Sequence, residues 1–180
     1  MNVTRTLLAL ALPATVLASN ACLADNERGF FAGAGVSAVN ADDERSYDGA
    51  DLWVAELFAG YKYNSLLGAE VRYGTGLGAD TVYLDGDDTI EADMDIDNYQ
   101  AIYYRAEATN QHGRFYALLG YSSLDYSIES SNLSTDGFSW GLGFGWYIAP
   151  QWNLNFEYKN LADVDSQEFT AISANLDYRF

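Results

Sequence analysis

The last nine residues of the chain, ISANLDYRF, alternate strictly between apolar and polar side chains. The apolar positions are Ile172, Ala174, Leu176, Tyr178 and Phe180, and the polar ones are Ser173, Asn175, Asp177 and Arg179. Because successive side chains of a β-strand point to opposite faces, this period of two predicts a strand with a different environment on each face.

Seven further segments upstream are predicted as strands, and six of them show the same alternation. They span residues 30–39, 52–63, 66–74, 98–108, 114–128, 138–148 and 152–160. Most are close to the roughly 9–11 residues that a tilted strand needs to cross a bilayer. Segment 114–128 is predicted as a strand whose facing is unclear, and no convincing helical period is found among these segments.

The connections between these strands alternate between long and short. Residues 40–51, 76–97, 129–137 and 162–168 form the long ones, whereas the others are short, such as Ala149-Pro150. In an up-and-down barrel this alternation places the long connections at one rim and the tight turns at the other. Outer-membrane barrels have short periplasmic turns and longer extracellular loops. The sequence therefore predicts an all-β fold: an eight-stranded antiparallel up-and-down transmembrane β-barrel.

A soluble lipocalin-like barrel is the alternative, since it also has eight strands and a secretion signal. Its apolar faces would point inward, toward a ligand. Aromatic side chains at the strand ends favour the membrane barrel, because aromatic girdles lie at bilayer interfaces. Polar faces interleaved with glycine favour it as well, because they suit a crowded, narrow lumen.

Residues 1–24 have the three-part order of a secretory signal peptide, with Arg5, an apolar run over residues 7–17 and small residues up to Ala24. Cleavage after Ala24 leaves residues 25–180 as the outer-membrane barrel domain. The apolar run is too short to span ~30 Å as a helix, which argues against the alternative of a membrane anchor. Lipid attachment at Cys22 is a second alternative, although Ser19 stands where a lipobox has leucine. Loss of Cys22, the only cysteine, leaves no disulfide or thiolate metal site.

The chain carries 9 Lys and Arg against 26 Asp and Glu, a net charge of −17. Such a surface repels phosphates, so nucleic acid is excluded as a partner. Acidity can also indicate disorder, but the 14 Tyr, 9 Phe and 4 Trp argue against it. After the signal peptide no apolar stretch reaches 18 residues, which excludes a helical membrane protein but not a membrane barrel, whose strands alternate in hydrophobicity.

No catalytic, cofactor-binding or metal site is predicted. The only histidine, His112, falls in a short turn at the predicted periplasmic rim, away from the positions that lipid-modifying barrels use. The sequence DGDD at residues 85–88 lacks the ligand spacing and the final glutamate of an EF-hand. The acidic connections predict a solvated rim. A further hypothesis is that Mg²⁺ or Ca²⁺ bridges them to lipopolysaccharide phosphates.

The polar faces, when they point inward, bring charges of both signs together. The bases are Lys62, Arg72, Arg105, Lys159 and Arg179, and the acids are Glu56, Glu70, Glu107, Glu157 and Asp177. Five charges of each sign make the interior formally neutral, which the cost of burying unpaired ions demands. An eight-stranded barrel is just wide enough for its own side chains, so a structural charge network is predicted. A gated ion path, in which pairs exchange partners, is the functional alternative.

The stretch FSWGLGFGWYIAPQWNLNFEYKN at residues 138–160, followed by the terminal LDYRF, resembles small outer-membrane β-barrels of the OmpA/OmpX type. This porin-family barrel resemblance covers the whole mature chain. It implies a protein of the Gram-negative outer membrane, in contact with lipid and lipopolysaccharide, and we expect a monomer. It also implies that the barrel assembly machinery, after periplasmic chaperones, recognises the terminal strand. The recognised side chains would be Ala174, Leu176, Tyr178 and Phe180.

The function expected from this reasoning is non-enzymatic: envelope integrity and surface interaction through acidic extracellular loops. A narrow or gated porin for ions or small solutes and an adhesin are the alternatives. No peptidoglycan-binding domain follows the barrel, unlike in full-length OmpA, so no tether to the cell wall is expected.

Overall fold

The computed structural model describes residues 28–43, 47–84, 91–128, 131–164 and 167–180. These residues form nine strands: β1 (Gly29–Asp43), β2 (Tyr47–Lys62), β3 (Leu67–Gly76), β4 (Asp80–Leu84), β5 (Glu91–Thr109), β6 (Gly113–Ile128), β7 (Ser131–Ala149), β8 (Trp152–Val164) and β9 (Gln167–Arg179). The predicted signal peptide with Cys22 and Ala24, and the DGDD sequence at 85–88, lie outside the described residues. In the described ranges no helix is long and apolar enough to cross a membrane.

The strands close into a ring with eight positions, and all pairings are antiparallel. β1 pairs with β2 on one side and with β9 on the other. β3 and β4 share one position, because both lie between β2 and β5. The chain between them is interrupted at residues 77–79, where Gly78 has a φ of +156° that residues with a Cβ rarely adopt. The predicted eight-stranded antiparallel barrel is confirmed, with its third wall position split between two strands.

The first and last strands form the seam of the barrel. β1 and β9 pair from Phe31 opposite Arg179 to Asp43 opposite Gln167. Beyond this ladder, the Phe180 amide donates to the carbonyl oxygen of Phe30 at 3.0 Å. A closed ring satisfies the backbone groups of both strands, which hydrocarbon requires. The terminal aromatic strand is therefore part of the barrel wall.

The two faces of the strands differ as the alternation predicts. On β9, Ile172 is 66% exposed, whereas the neighbouring Ser173 is 1% exposed. The facing of β6, which the pattern left unclear, places Phe115 outside and Tyr116 and Leu118 inside. The outer wall is thus an apolar band, as the lipid-facing surface of a membrane barrel must be.

The short connections cluster at one end of the barrel, which we call the turn end. They comprise residues 63–66, 110–112 and 150–151. Asn64 and Asn110 shape the first two, because each side-chain oxygen accepts hydrogen bonds from backbone amides two and three residues later. We call the opposite end the far end.

Toward the far end, the apolar residues of several strands move from the outer face of the wall to the inner face. On β6, the inward residue Ser122 is polar and its outward neighbour Tyr121 is aromatic, but the next inward residue, Leu124, is apolar. On β9, the same change separates Ser173 from Phe169, which is fully buried. Facing outward at this height are polar residues, such as Asn40, Asp51, Gln100, Ser123, Asp136 and Glu168. Polar outside and apolar inside is the arrangement of a β-structure in water, so the far end extends beyond the lipid band.

The prediction of long loops at the far end is wrong. Strands run into all four segments predicted as long connections, and β1 ends only at Asp43 before β2 begins at Tyr47. A change in the facing of apolar residues marks the point where lipid gives way to water, and the hydrogen-bonded ladder continues past it. The acidic residues of these segments that the structure describes therefore lie largely on strands.

Candidate functional site in the barrel lumen

The turn end of the lumen holds four cations around one carboxylate, which we call the Glu107 cluster. Glu107 Oε1 accepts from Lys62 Nζ at 2.8 Å and from Arg179 Nη2 at 3.0 Å. Glu107 Oε2 accepts from Arg105 Nε at 3.2 Å, and Arg114 Nη1 lies 3.6 Å from the same oxygen. All five residues are at most 4% exposed, so water screens these attractions little.

A second group of charges, the Arg72 cluster, lies nearer the middle of the barrel. Arg72 donates through Nη1 and Nη2 to the two oxygens of Glu157, at 2.6 and 2.8 Å. Its Nε donates to Glu70 at 2.7 Å, and its Nη1 also reaches Glu56 at 3.2 Å. Lys159 Nζ donates to both oxygens of Glu56, at 2.6 and 2.7 Å. The planar fork of one guanidinium thus binds three carboxylates at once.

Neutral donors complete the coordination of these carboxylates. Tyr116 Oη donates to Glu157 at 2.6 Å and Asn175 Nδ2 donates to it at 2.9 Å. Ser37 Oγ donates to Glu56. Arg105 Nη1 donates to Glu70 at 2.9 Å and thereby joins the two clusters. A buried ion pair offsets its desolvation only when its remaining lone pairs are hydrogen-bonded, and these contacts supply that condition.

The structure places all the residues of the predicted charge network inside the lumen and in ion pairs. They are Glu56, Lys62, Glu70, Arg72, Arg105, Glu107, Glu157, Lys159, Asp177 and Arg179.

The sequence reasoning missed Arg114, which is 2% exposed. Its Nη2 donates to Asn155 at 2.7 Å and also to Asp177. With Arg114 the described lumen holds six buried cations and five buried carboxylates, so the formal neutrality expected from the sequence is wrong by one charge. The signal that could have found Arg114 is its even spacing from Gly120 and Ser122, the small residues of the inward face.

Aromatic rings fill the space between the charges. The guanidinium carbon of Arg105 lies 3.6 Å from the centroid of the Tyr116 ring, and that of Arg72 lies 4.9 Å from the Phe58 ring. Gly143 makes room for Tyr116, because a Cβ at this position would lie 2.3 Å from the ring. The stacked rings shield the ions from water and add cation–π attraction.

Above the Arg72 cluster, toward the far end, the interior changes to a packed apolar core. Its buried residues include Val39, Leu52, Val54, Met94, Ile96, Leu124, Tyr126, Leu161 and Phe169. Tyr126 and Phe169 pack ring to ring with centroids 5.4 Å apart. The lumen is therefore filled by two layers of different chemistry, ions at the turn end and hydrocarbon at the far end.

The other residues singled out from the sequence lie on the outside. Phe180 and Leu176 are 45% and 38% exposed on the lipid-facing side of β9. Ala174 and Tyr178 are half-buried on the same face, and the Tyr178 and Phe180 rings meet at 5.0 Å. His112 is exposed in the turn at 110–112. Among the residues the structure describes, no group of three or more His, Cys, Asp or Glu is placed to hold a metal ion.

A closed antiparallel barrel with an apolar outer band and a filled, charged interior defines a small integral membrane β-barrel. The chain belongs to the family described as outer membrane protein beta-barrel domain, whose model matches residues 6–180. No curated protein sequence matches the chain.

Three solved structures of small outer-membrane barrels share the fold. Ail, the attachment invasion locus protein of Yersinia pestis, in complex with the heparin analogue sucrose octasulfate, is 15% identical with a TM-score of 0.63, over 86% of this chain and 99% of Ail. OprG from Pseudomonas aeruginosa is 16% identical with a TM-score of 0.61, over 86% of this chain and 97% of its own. Neisserial surface protein A is 16% identical with a TM-score of 0.60, over 84% and 97%. At these identities the likeness concerns the fold.

Proposed function

We propose that the protein is a non-conducting, non-enzymatic barrel of the Gram-negative outer membrane that contributes to envelope integrity and displays an acidic surface for interaction outside the cell. In this proposal the turn end faces the periplasm and the far end faces the exterior. Family membership supports the location, and the short turns support the orientation.

The observation that carries the proposal is the filling of the lumen. The Glu107 and Arg72 clusters occupy the lumen from the turn end to its middle, and the apolar core occupies it toward the far end. An ion entering from the turn end would have to separate charge pairs that hold each other at 2.6 to 3.2 Å. It would then have to cross a layer that offers hydrocarbon in place of water, which is far more costly for a charge.

Single-channel recording in planar bilayers tests this proposal. We expect the refolded barrel to show no conductance steps, and charge reversal at Glu56 or Arg105 to change stability only. Steady or switching conductance in the wild-type protein would contradict the proposal and support the gated-porin alternative. Heat-modifiable gel mobility of the same sample shows that the protein added to the bilayer is folded.

The distribution of charge favours a surface role. Six of the seven Lys and Arg residues in the described ranges line the lumen, and the seventh, Arg28, precedes β1 at the turn end. The described far-end exterior is consequently acidic and carries no basic side chain. The polysulfated ligand in the Ail complex is an anion, so we expect this chain to avoid such ligands and to favour neutral or cationic partners.

An adhesin is the second candidate, because the strands raise this acidic surface beyond the lipid band. Replacing the exposed acids Asp51, Asp93 and Asp136 by asparagine and measuring binding to host or abiotic surfaces tests it without removing wall residues, with the wild-type barrel as reference. Unchanged binding would remove this candidate.

Divalent cations bridging the acidic surface to lipopolysaccharide would appear as heat in a Ca²⁺ titration of the refolded barrel, beyond the effect of ionic strength.

The terminal strand supports a proposed route of assembly. Its outward side chains, Ala174, Leu176, Tyr178 and Phe180, form a continuous apolar row at the seam. We assign to this row recognition by the barrel assembly machinery after delivery by periplasmic chaperones. Cleavage after Ala24 and a monomeric state belong to the same proposal.

A further inference from the structure

We propose that the outer wall of the barrel holds one phospholipid acyl chain in a groove between β3 and β7, near the turn end. The groove has a volume of about 680 Å³. The side chains that matter are Leu67, Ala106, Phe115, Ala117, Leu142 and Phe144. They belong to four adjacent wall positions and all point away from the lumen.

The groove follows from the register of the sheet. Leu67 lies opposite Ala106, Ala106 lies opposite Ala117, and Ala117 lies opposite Leu142. Directly opposed side chains on one face have their Cβ atoms about 4.5–5.5 Å apart. Two small alanines in the middle of this row therefore make a floor, with a leucine rising on each side.

The next row toward the turn end closes the groove below. Ala108 lies opposite Phe115, and Phe115 lies opposite Phe144. The two rings are 6.3 Å apart between centroids, and Phe115 is 70% exposed. Large rings therefore stand directly beside the small alanines on this part of the wall.

Hydrocarbon is the occupant that this chemistry selects. The side chains that face the groove are all apolar, and the groove is continuous with the lipid-facing band. A flexible acyl chain matches a shallow, open groove within a membrane, whereas a polar solute would find no hydrogen-bond partner on these side chains.

The surroundings also restrict the headgroup. The turns at 63–66 and 110–112, which lie below the groove, carry amide and hydroxyl side chains and His112 but no Lys or Arg. The lumen retains the nearby cations, because Arg105, Arg114 and Lys62 point inward. We therefore assign a zwitterionic headgroup, such as phosphoethanolamine, and no preference for anionic lipid. The leaflet is the periplasmic one if the proposed orientation is right.

Native mass spectrometry of the barrel, released in mild detergent from vesicles of equal phosphatidylethanolamine and phosphatidylglycerol, tests the inference. We expect one retained phospholipid on the wild-type barrel and its loss from the variant A106L/A117L, which fills the floor. The matched control is A32L/A59L, because Ala32 and Ala59 form an opposed outward pair on β1 and β2. This control should retain the lipid. Heat-modifiable mobility verifies folding, and A117L alone serves if the double variant does not fold.

A wild-type barrel without bound lipid, or a lipid retained equally by A106L/A117L, would overturn the inference. A dimer that disappears in A106L/A117L would assign the groove to a second copy of the chain instead. Enrichment of phosphatidylglycerol would overturn the headgroup assignment. These outcomes are independent of conductance, so a conducting barrel that retains lipid would refute the proposed function and leave the groove assignment standing.

Discussion

Glu107 is the residue at which the charge network is most open to a quantitative test. The substitution Glu107→Gln removes one negative charge and keeps the shape of the side chain. The four cations of the Glu107 cluster would then lose their shared carboxylate. Asp177 would remain with Arg114 and Arg179, and Glu70 with Arg105, whereas Lys62 would lose its 2.8 Å salt bridge.

The size of the effect follows from burial. Glu107 is 3% exposed and Lys62 is 2% exposed, so water cannot replace the lost charge without opening the barrel end. Removing one partner of a buried ion pair costs about 3–5 kcal/mol, because the buried charges that it faced lose part of the attraction that offset their desolvation. We expect Glu107→Gln to lower the free energy of unfolding by about this amount.

Urea unfolding in phospholipid vesicles, followed by tryptophan fluorescence, measures this change from the midpoint and slope of the transition. The control is Glu168→Gln, the same chemical change at an exposed position of β9, where we expect a change within about 0.5 kcal/mol. Equal stability of the Glu107 and Glu168 variants would refute the reasoning.

Three further predictions concern the wall, the far end and the seam. Leu124→Ala should cost about 2–5 kcal/mol in the same unfolding assay, because it leaves a cavity in the apolar core, whereas the lipid-facing Leu119→Ala should cost clearly less; equal losses would contradict a packed far end. Gly143→Ala should cost about 1–3 kcal/mol, since its Cβ would collide with Tyr116, and an unchanged midpoint would contradict the close approach. Deletion of Phe180 should lower the amount of heat-modifiable barrel in outer-membrane fractions without lowering export, and unaffected assembly would exclude its recognition role.

The alternation of side chains was enough to predict the barrel. A period of two survives in β1, β2, β3, β5, β7, β8 and β9, because lipid and lumen impose opposite demands on neighbouring residues. The seam between β1 and β9 followed from the need to close the ring. Where both faces are apolar, as at Leu118 and Leu119 on β6, the pattern carries no direction, and Arg114 was missed for this reason.

The far end was predicted poorly because the face of the strand that carries the apolar residues changes along its length. Where lipid ends, the apolar residues move to the inner face, so the alternation shifts phase and resembles the start of a loop. Local irregularities add to this, since the pairing register shifts between Ile96 and Asn98 on β5 and between Asn160 and Ala162 on β8. The acidic residues increased the resemblance to loops, although those with described side chains, such as Asp51, Asp93 and Asp136, are exposed positions on strands.

The pairing of charges depends on tertiary geometry that a single sequence does not contain. The inward residues could be identified because they occupy every second position of a strand. Which carboxylate meets which cation depends on how far neighbouring strands are shifted along the barrel axis. Arg72 on β3 binds Glu157 on β8, on the far side of the lumen, and Lys159 on β8 binds Glu56 on β2. These contacts span the barrel and have no local signature.

Cysteine scanning of β6 tests the central claim, a membrane-spanning barrel with a filled interior, most directly. Single cysteines are placed at Leu118, Leu119, Tyr121, Ser122 and Ser123 of refolded residues 25–180, which contain no native cysteine. Each refolded variant in vesicles is then offered a charged and a lipid-soluble maleimide. We expect positions 119 and 121 to react only with the lipid-soluble reagent, position 123 with the charged one, and positions 118 and 122 with neither. Rapid reaction of the charged reagent at 118 and 122 would show a water-filled lumen and contradict the account.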